Sequence, residues 1–103
     1  MKTGFAYIMS NVSRTVFYTG VTNNIEKRCL QHKKGIGGVF TSKYKCFYLV
    51  YYESFWEIVA AIQREKEIKN RRRKWKIDLI KSTNPEMKDL SVDWDLEQES
   101  HEL

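Results

Sequence analysis

Glu65 places a carboxylate where the surrounding pattern calls for a hydrophobic residue. Four apolar residues are spaced as one buried face of a helix: Ile58, Ala61, Ile62 and Ile68. Glu65 lies in the middle of that face. An ionised carboxylate is unfavourable in an apolar face unless a positive charge pairs with it. The spacing therefore predicts that Glu65 binds either a metal ion or a basic partner.

Arg28 is a second charged residue on an apolar helical face. Ile25, Cys29 and His32 are spaced as the buried side of an earlier helix, and Arg28 falls on the same side. Arg28 could instead be an edge residue whose stem packs while its head reaches water. A single histidine on such a face is usually structural. Because His32 follows Arg28 by one turn, we treat both as candidate site residues.

Two tyrosines are predicted to lie side by side on a β-hairpin. If the chain turns at Val12 and Ser13, residues whose numbers add up to 25 stand opposite each other, and Tyr7 would face Tyr18. The alternative is an aromatic pair that only packs. Gly20 shares the face of Tyr18 and has no side chain, so we expect space there for a backbone or a ligand.

The charge of the chain is divided unevenly along its length. The 103 residues are enough for one domain and carry a formal net charge of +5. Residues 1–85 hold 17 of the 18 Lys and Arg residues, whereas residues 86–103 hold seven of the 13 acids. A body this basic attracts polyanions, nucleic acid first, although lysines can also serve solubility alone.

Targeting signals and cysteine pairs are not evident in the sequence. No apolar run approaches the roughly 20 residues of a membrane span, and the first residues do not resemble a secretory signal. Cys29 and Cys46 have no metal-site spacing and form no disulfide framework. We therefore expect a cytoplasmic protein with two reduced thiols and no membrane partner.

The elements that must position these residues form a small α+β domain. The apolar and turn-forming residues predict the order β-β-α-β-α-α, with a three-stranded antiparallel sheet flanked by helices. The predicted strands are 5–10, 15–22 and 46–53, the last as the central strand because its apolar run is continuous. We expect residues 1–91 to form the domain and residues 92–103 an acidic tail, with the chain loosely held from Leu90 onward.

Side chains near the helix ends indicate where the helices begin and stop. Asn23 or Asn24 is expected to cap the first helix, which ends near Gly35 and precedes a flexible glycine loop. Ser54 is expected to cap the long helix that carries Glu65 and reaches about Arg73. A further helix, from about 74 to 82, is expected to bury Trp75, Leu79 and Ile80 before Asn84-Pro85 ends it.

Taken together, these residues resemble the GIY-YIG nuclease domain. The similarity lies in Phe5-Ala6-Tyr7, Tyr18-Thr19-Gly20, Arg28 and Glu65, with Asn84-Pro85 closing the segment. It covers residues 4 to about 91 and is strongest toward short, stand-alone, single-domain bacterial members. The first motif keeps only its tyrosine, and Val21 stands where some repair nucleases have a lysine nearby.

The resemblance implies an endonuclease that hydrolyses DNA phosphodiester bonds with Mg²⁺ or Mn²⁺. It also suggests structure-directed cleavage in repair or recombination. Glu65 would hold the metal, and Arg28 would bind the scissile phosphate. Tyr7 or Tyr18 would take a proton from the attacking water, with the choice between them open. His32 would relay a proton or contact phosphate.

Basic residues outside this constellation are candidate nucleic-acid contacts: Lys33, Lys34, Lys43, Lys69, Arg71, Arg72 and Arg73. The expected partner is DNA, with RNA left open. One alternative is a basic module that binds nucleic acid without cutting it and uses its tyrosines for stacking. Another is a structural adaptor whose acidic tail covers its own basic face or recruits a partner.

Overall fold

The computed structural model describes residues 1–94, which form three strands and four helices. The elements in chain order are β1 (Gly4–Ser10), β2 (Phe17–Thr22), α1 (Ile25–Lys33), α2 (Val39–Tyr44), β3 (Tyr48–Phe55), α3 (Ile58–Lys69) and α4 (Arg73–Thr83). The predicted α+β class with a three-stranded antiparallel sheet is confirmed. Within these residues, no helix has the length and apolar character needed to cross a membrane.

The sheet has β1 at its centre, in the order β2-β1-β3. The prediction that the third strand is central was therefore wrong. The apolar run of β3 has another cause, because Leu49 and Val50 point into different cores on the two faces of the sheet. A strand covered on both faces is apolar throughout whether or not it lies at an edge.

Alternation along β1 separates the two cores. Tyr7 and Met9 pack with Cys29 of α1 on one face, and Ile8 packs with Ile68 and residues of α4 on the other. We call these the α1 face and the α3 face. The functional side chains described below are divided between them.

Two helix boundaries differ from the predicted ones. Ser54 does not cap the long helix, because β3 continues through Phe55 and pairs Ser54 with Phe5 of β1. Glu57 is the N-cap residue of α3, without a side-chain cap bond, and α3 ends at Lys69 rather than near Arg73. Asn24 caps α1 as expected, since its side chain accepts a hydrogen bond from the Lys27 amide.

An additional helix, α2, follows the glycine segment that was predicted to be a loop. It spans six residues and begins directly after Gly38. Thr41 is its one buried residue. Because so short a helix has no full apolar periodicity, the pattern along the sequence gave little sign of it.

The C-terminal part of the described chain packs against the domain. Asn84 ends α4, as predicted, and its side-chain amide donates to the carbonyl oxygens of Val50 and Lys88. Ser91 is fully buried, and the Trp94 ring lies 5.6 Å from that of Tyr52. The expectation of a loosely held chain from Leu90 onward was therefore wrong up to Trp94. Most of the predicted acidic tail lies outside the described residues.

Candidate active site

The two tyrosines meet on the α1 face, but not in the predicted register. Tyr7 pairs with Gly20, and Tyr18 pairs with Met9, so opposite residues add up to 27 rather than 25. The turn is longer than expected, with Arg14 in the left-handed region at φ 59°. A shift of two residues preserves the face of every side chain. The tyrosines are therefore diagonal neighbours, with ring centroids 6.3 Å apart.

Gly20 makes room for Tyr7 rather than for a ligand. A Cβ atom at position 20 would lie 2.5 Å from the Tyr7 hydroxyl oxygen and 2.9 Å from the Tyr18 ring. Neither ring could stay in place beside such an atom. The expected space at Gly20 is thus filled by the phenol across the strand, and the glycine fixes the position of that phenol.

Arg28 is held by three hydrogen bonds in partly buried surroundings. Its Nε donates to Tyr7 Oη at 3.3 Å, its Nη1 to Gln31 Oε1 at 3.2 Å, and its Nη2 to the Gly37 carbonyl oxygen at 2.8 Å. These bonds fix the plane of the guanidinium. The hydrogen bond with Tyr7 is the main cause that raises the pKa of Arg28, so the residue stays charged.

His32 is fully buried between Tyr7 and Thr41. Its Nε2 lies 3.0 Å from Tyr7 Oη, and its Nδ1 lies 3.1 Å from Thr41 Oγ1. The Thr41 hydroxyl donates to the Gly38 carbonyl oxygen at 3.3 Å, so its oxygen accepts from His32 Nδ1–H. Nε2 then carries no proton and accepts from the Tyr7 hydroxyl. The donors therefore run in one direction, from Arg28 through Tyr7 and His32 to Thr41.

Burial keeps Tyr7 and His32, the two central groups of this series of hydrogen bonds, neutral. It raises the pKa of Tyr7 to about 12, against the opposing effect of the Arg28 hydrogen bond. It also lowers the pKa of His32 to about 4, and the positive charge of Arg28 acts in the same direction. At neutral pH Tyr7 is a phenol and His32 an uncharged imidazole, which agrees with the hydrogen-bond directions.

A groove of about 480 Å³ lies between α1 and α3, at the end of the edge strand β2. One wall is formed by Lys27, Arg28 and Gln31 of α1, and the other by Ile58 and Ile62 of α3. Arg28 therefore reaches both the tyrosine cluster and the groove.

Glu65 lies on α3, one turn after Ile62, and only 6% of its surface is exposed. Ala61 and Ile68 are buried beside it as predicted, although Ile58 is 37% exposed. Lys69 Nζ lies 2.5 Å from Glu65 Oε1, but the two are not aligned as a hydrogen bond. Among the described residues, Oε1 is thus buried with Lys69 as its ion-pair partner but without an aligned hydrogen bond.

The setting of Glu65 fits a hard divalent cation. A buried carboxylate oxygen without an aligned hydrogen bond is a suitable ligand for Mg²⁺ or Mn²⁺, which can complete their shells with water and phosphate oxygens. In residues 1–94, no group of three or more His, Cys, Asp or Glu side chains is arranged to hold a metal. Water and substrate oxygens would therefore supply most of the coordination of an ion held by Glu65.

The structure divides the predicted site residues into two groups. Tyr7, Tyr18, Arg28 and His32 gather in one cluster on the α1 face, with the ring centroids of Tyr18 and His32 5.7 Å apart. Glu65 comes from α3, whose first residues pack against β1 on the other face. Arg28 from the cluster lines the groove, and from α3 the groove is lined by Ile58 and Ile62, the latter one turn before Glu65.

Among the predicted nucleic-acid contacts, Lys33 differs from the rest. Its ammonium forms a half-buried ion pair with Asp89 at 2.5 Å, so this charge serves the fold. The remaining six side chains are exposed: Lys34, Lys43, Lys69, Arg71, Arg72 and Arg73. Arg71 and Arg73 lie over the rings of Trp75 and Phe17, at 5.0 and 4.9 Å from the ring centroids.

Sequence reasoning missed Thr41 and Phe40 of α2. Thr41 holds the His32 ring through Nδ1, and the Phe40 ring lies 5.9 Å from that of Tyr18. Neither residue stands in a recognisable catalytic spacing. The signal that could have found them is the four-residue interval between Phe40 and Tyr44, which places two aromatic rings on one side of a helix.

Comparison with known proteins connects this geometry to a family. Residues 3–78 match the GIY-YIG catalytic domain family. The chain belongs to the GIY-YIG family. This is a family of nucleases, which generally depend on divalent metals and have nucleic-acid substrates.

Similar proteins of the GIY-YIG type are found in bacteria and beyond. A UPF0213 protein from Syntrophus aciditrophicus is 37% identical over 87 residues, which cover 84% of this chain and 98% of the relative. A UPF0213 protein from Natronomonas pharaonis is 38% identical over 76 residues, which cover 74% of this chain and 88% of the relative. The predicted similarity to short, stand-alone bacterial members is thereby confirmed. No solved structure matches the chain.

Proposed function

We propose that this GIY-YIG protein is an endonuclease that hydrolyses DNA phosphodiester bonds with the help of Mg²⁺ or Mn²⁺. The observation that carries the proposal is the cluster of two phenols, a guanidinium and an imidazole, whose guanidinium lines a groove with its opposite wall on the helix of Glu65. A polar cluster of this kind, with perturbed pKa values, is characteristic of a reaction site.

Glu65 is the residue we expect to hold the metal, because its buried Oε1 lacks an aligned hydrogen bond. When bound there, the cation would stabilise negative charge on the phosphate and on the leaving oxygen. Lys69, which is exposed and pairs with Glu65, neutralises the carboxylate in the free protein.

Arg28 is positioned to bind the scissile phosphate. Its guanidinium lines the groove, and its three hydrogen bonds within the domain set its orientation before substrate arrives. Such preorganised donors stabilise charge that develops in a transition state, because they need little rearrangement during the reaction.

Tyr18 is the better candidate for taking a proton from the attacking water. Tyr7 is fully buried, and its hydroxyl is already engaged by Arg28 and His32. Tyr18 is partly exposed. The pKa of Arg28 is raised mainly by its hydrogen bond with Tyr7, burial opposes this, and Tyr18 makes a smaller contribution that raises it. A partly exposed phenol can be reached by the attacking water, as a general base must be.

His32 is the residue we expect to hold Tyr7 in orientation. Neutral at ordinary pH, it accepts the Tyr7 proton in a hydrogen bond and so directs the phenol oxygen toward Arg28. Should Tyr7 receive a proton during the reaction, His32 Nε2 is within 3.0 Å to accept the one that Tyr7 already carries.

Exposed basic residues at the start of α4 and around α2 provide phosphate contacts that do not read sequence. A domain this small offers little surface for base recognition. We therefore propose a substrate chosen by its structure, in repair or recombination, such as branched, flapped or single-stranded DNA.

The test is cleavage of a panel of such DNA structures with and without Mg²⁺ or Mn²⁺. Glu65→Ala is expected to abolish cutting and to leave binding largely intact. Glu67→Ala is the matched control, because Glu67 lies on the same helix with an exposed carboxylate paired to Arg64. It should cut at the wild-type rate. Cleavage by Glu65→Ala at that rate would exclude the metal-binding role.

A basic module that binds without cutting is the competing function. It predicts tight binding to the same panel with no metal-dependent product on any substrate. The buried carboxylate of Glu65, which pairs with exposed Lys69, favours the nuclease, because a protein that only binds phosphates gains nothing from a buried negative charge.

A further inference from the structure

Helix α2 exposes two aromatic rings on one side. Tyr44 follows Phe40 by four positions, about one helical turn, and the two side chains are 43% (Phe40) and 42% (Tyr44) exposed. Their ring centroids lie 4.7 Å apart. Thr41 anchors the helix to the domain through His32, so the rings are held in place while remaining accessible.

These rings continue the aromatic cluster of the candidate active site. The Phe40 ring lies 5.9 Å from Tyr18, which lies 6.3 Å from Tyr7. A row of four aromatic side chains thus leads from the buried phenol of the site to the surface at Tyr44. Arg28 lies at the inner end of this row, because its Nε donates to Tyr7 Oη, so a strand with a phosphate at Arg28 could extend along the rings.

The charge around the rings favours a polyanion. No Asp or Glu occurs between Glu26 and Glu53, a stretch that includes all of α2. The basic residues in it include Lys34, Lys43 and Lys45, which are exposed. Lys43 Nζ lies 5.4 Å from the centre of the Tyr44 ring. Exposed aromatic rings next to lysines are the features with which proteins bind single-stranded nucleic acid.

We propose that Phe40 and Tyr44 form a stacking platform for unpaired bases next to the bond that is cut. The substrate class is thereby narrowed to DNA with a single-stranded segment, since bases within a duplex cannot reach a protein ring without unstacking. This inference rests on the proposed function for the position of the phosphate.

Binding in the absence of divalent metal tests the platform without requiring cleavage. A short single-stranded oligonucleotide that contains 2-aminopurine reports affinity by anisotropy and stacking by fluorescence quenching, in EDTA and at one salt concentration. Phe40→Ala and Tyr44→Ala are each expected to weaken binding roughly 5- to 100-fold and to reduce the quenching. Affinity for a blunt duplex should change less than about twofold.

Trp56→Ala is the matched control. Trp56 is 66% exposed and has Lys2 Nζ 4.7 Å from its ring, but it lies outside the row of rings described above. It should bind the oligonucleotide as the wild type does. Phe40→Leu keeps an apolar side chain against Tyr18 but removes the ring. It should fold normally, which circular dichroism checks, and still lose affinity for the single strand.

Single-strand affinity within twofold of wild type in both Phe40→Leu and Tyr44→Ala would overturn the platform. An equal loss of affinity for the duplex would also overturn it. So would variants that lose binding only to vesicles of anionic lipid, because that result would indicate a membrane-binding surface. If no substrate is ever cut but the quenching pattern holds, the nuclease proposal fails and the platform stands. If cutting persists while these variants bind normally, only the platform fails.

Discussion

The two faces of the sheet share the strand β1 but are stabilised in different ways. On the α3 face, Ile8, Ile68 and Ile80 are fully buried among apolar neighbours. On the α1 face, Tyr7 and His32 are equally buried, but each depends on hydrogen bonds for its place. Apolar burial is non-directional, whereas a buried polar group is costly unless its partners are well aligned.

This difference shows how one small domain keeps its hydrogen-bonded cluster apart from an apolar core on the other face of the sheet. A change among the apolar residues Ile8, Ile68 and Ile80 should reduce the free energy of unfolding and leave the cluster on the α1 face intact. A change on the α1 face should misalign a chain of donors that reaches Arg28, and so affect cleavage beyond its effect on stability. The variants below compare the two faces.

Arg28→Lys is expected to give the largest effect. Lysine keeps a charge but cannot reproduce three fixed hydrogen bonds, so single-turnover cleavage should fall roughly 10³-fold or more. Arg64→Lys, on α3, is the control and should cut normally. A loss smaller than about tenfold for Arg28→Lys would argue against its role at the phosphate.

Ile80→Ala probes the opposite face. Truncating this fully buried side chain should lower the free energy of unfolding by about 2–5 kcal/mol, measured by urea denaturation. The cleavage rate per folded molecule should stay at the wild-type value. A rate that falls while the variant is still folded would show that the two faces are not independent.

His32 should make stability depend on pH. Burial, with the Arg28 charge, lowers the pKa of His32 from 6.5 to about 4. Between these values the unfolded chain binds a proton that the folded chain does not, so stability falls as pH falls from about 6.5 to about 4. The loss is on the order of 3 kcal/mol. His32→Gln should lack this slope, and identical pH profiles for the two proteins would contradict the assignment.

Thr41→Val is expected to have a smaller effect. It leaves His32 Nδ1–H buried without an acceptor, which costs about 1–3 kcal/mol and frees the ring to turn away from Tyr7. Cleavage should fall, and its pH profile should shift, because His32 no longer has a fixed tautomer. Thr41→Ser keeps the hydroxyl and should restore both. A stability loss with an unchanged pH profile would mean that Thr41 is only structural.

The residues at the site could be found from the sequence, but the strand register that sets Tyr7 beside Tyr18 could not. Arg28 and Glu65 were identifiable because a charge on an apolar helical face is unusual, and periodicity shows the face. The register of Tyr7 and Tyr18 could not be obtained the same way. A longer turn moves opposite residues by two, and such a shift leaves the pattern of faces unchanged.

The position of β3 and the helix α2 were also beyond the sequence. An apolar strand looks the same at the centre or the edge of a sheet when helices cover both faces. Helix α2 is too short for a periodic signal, and it is held by the bond between Thr41 and His32. The position of β3 depends on its pairing with β1, far away in the chain, and α2 depends on a contact with His32, nine residues before Thr41.

The sequence by itself determined the α+β class, the buried faces of the long helices, the basic body and the residue types needed for phosphodiester chemistry. Periodicity and composition are local properties, so they can be read from neighbouring residues. Only the tertiary structure decided which phenol is locked against Arg28 and His32 and which stays partly exposed. That choice depends on strand register and on the space left by Gly20, and both are set by packing across the sheet.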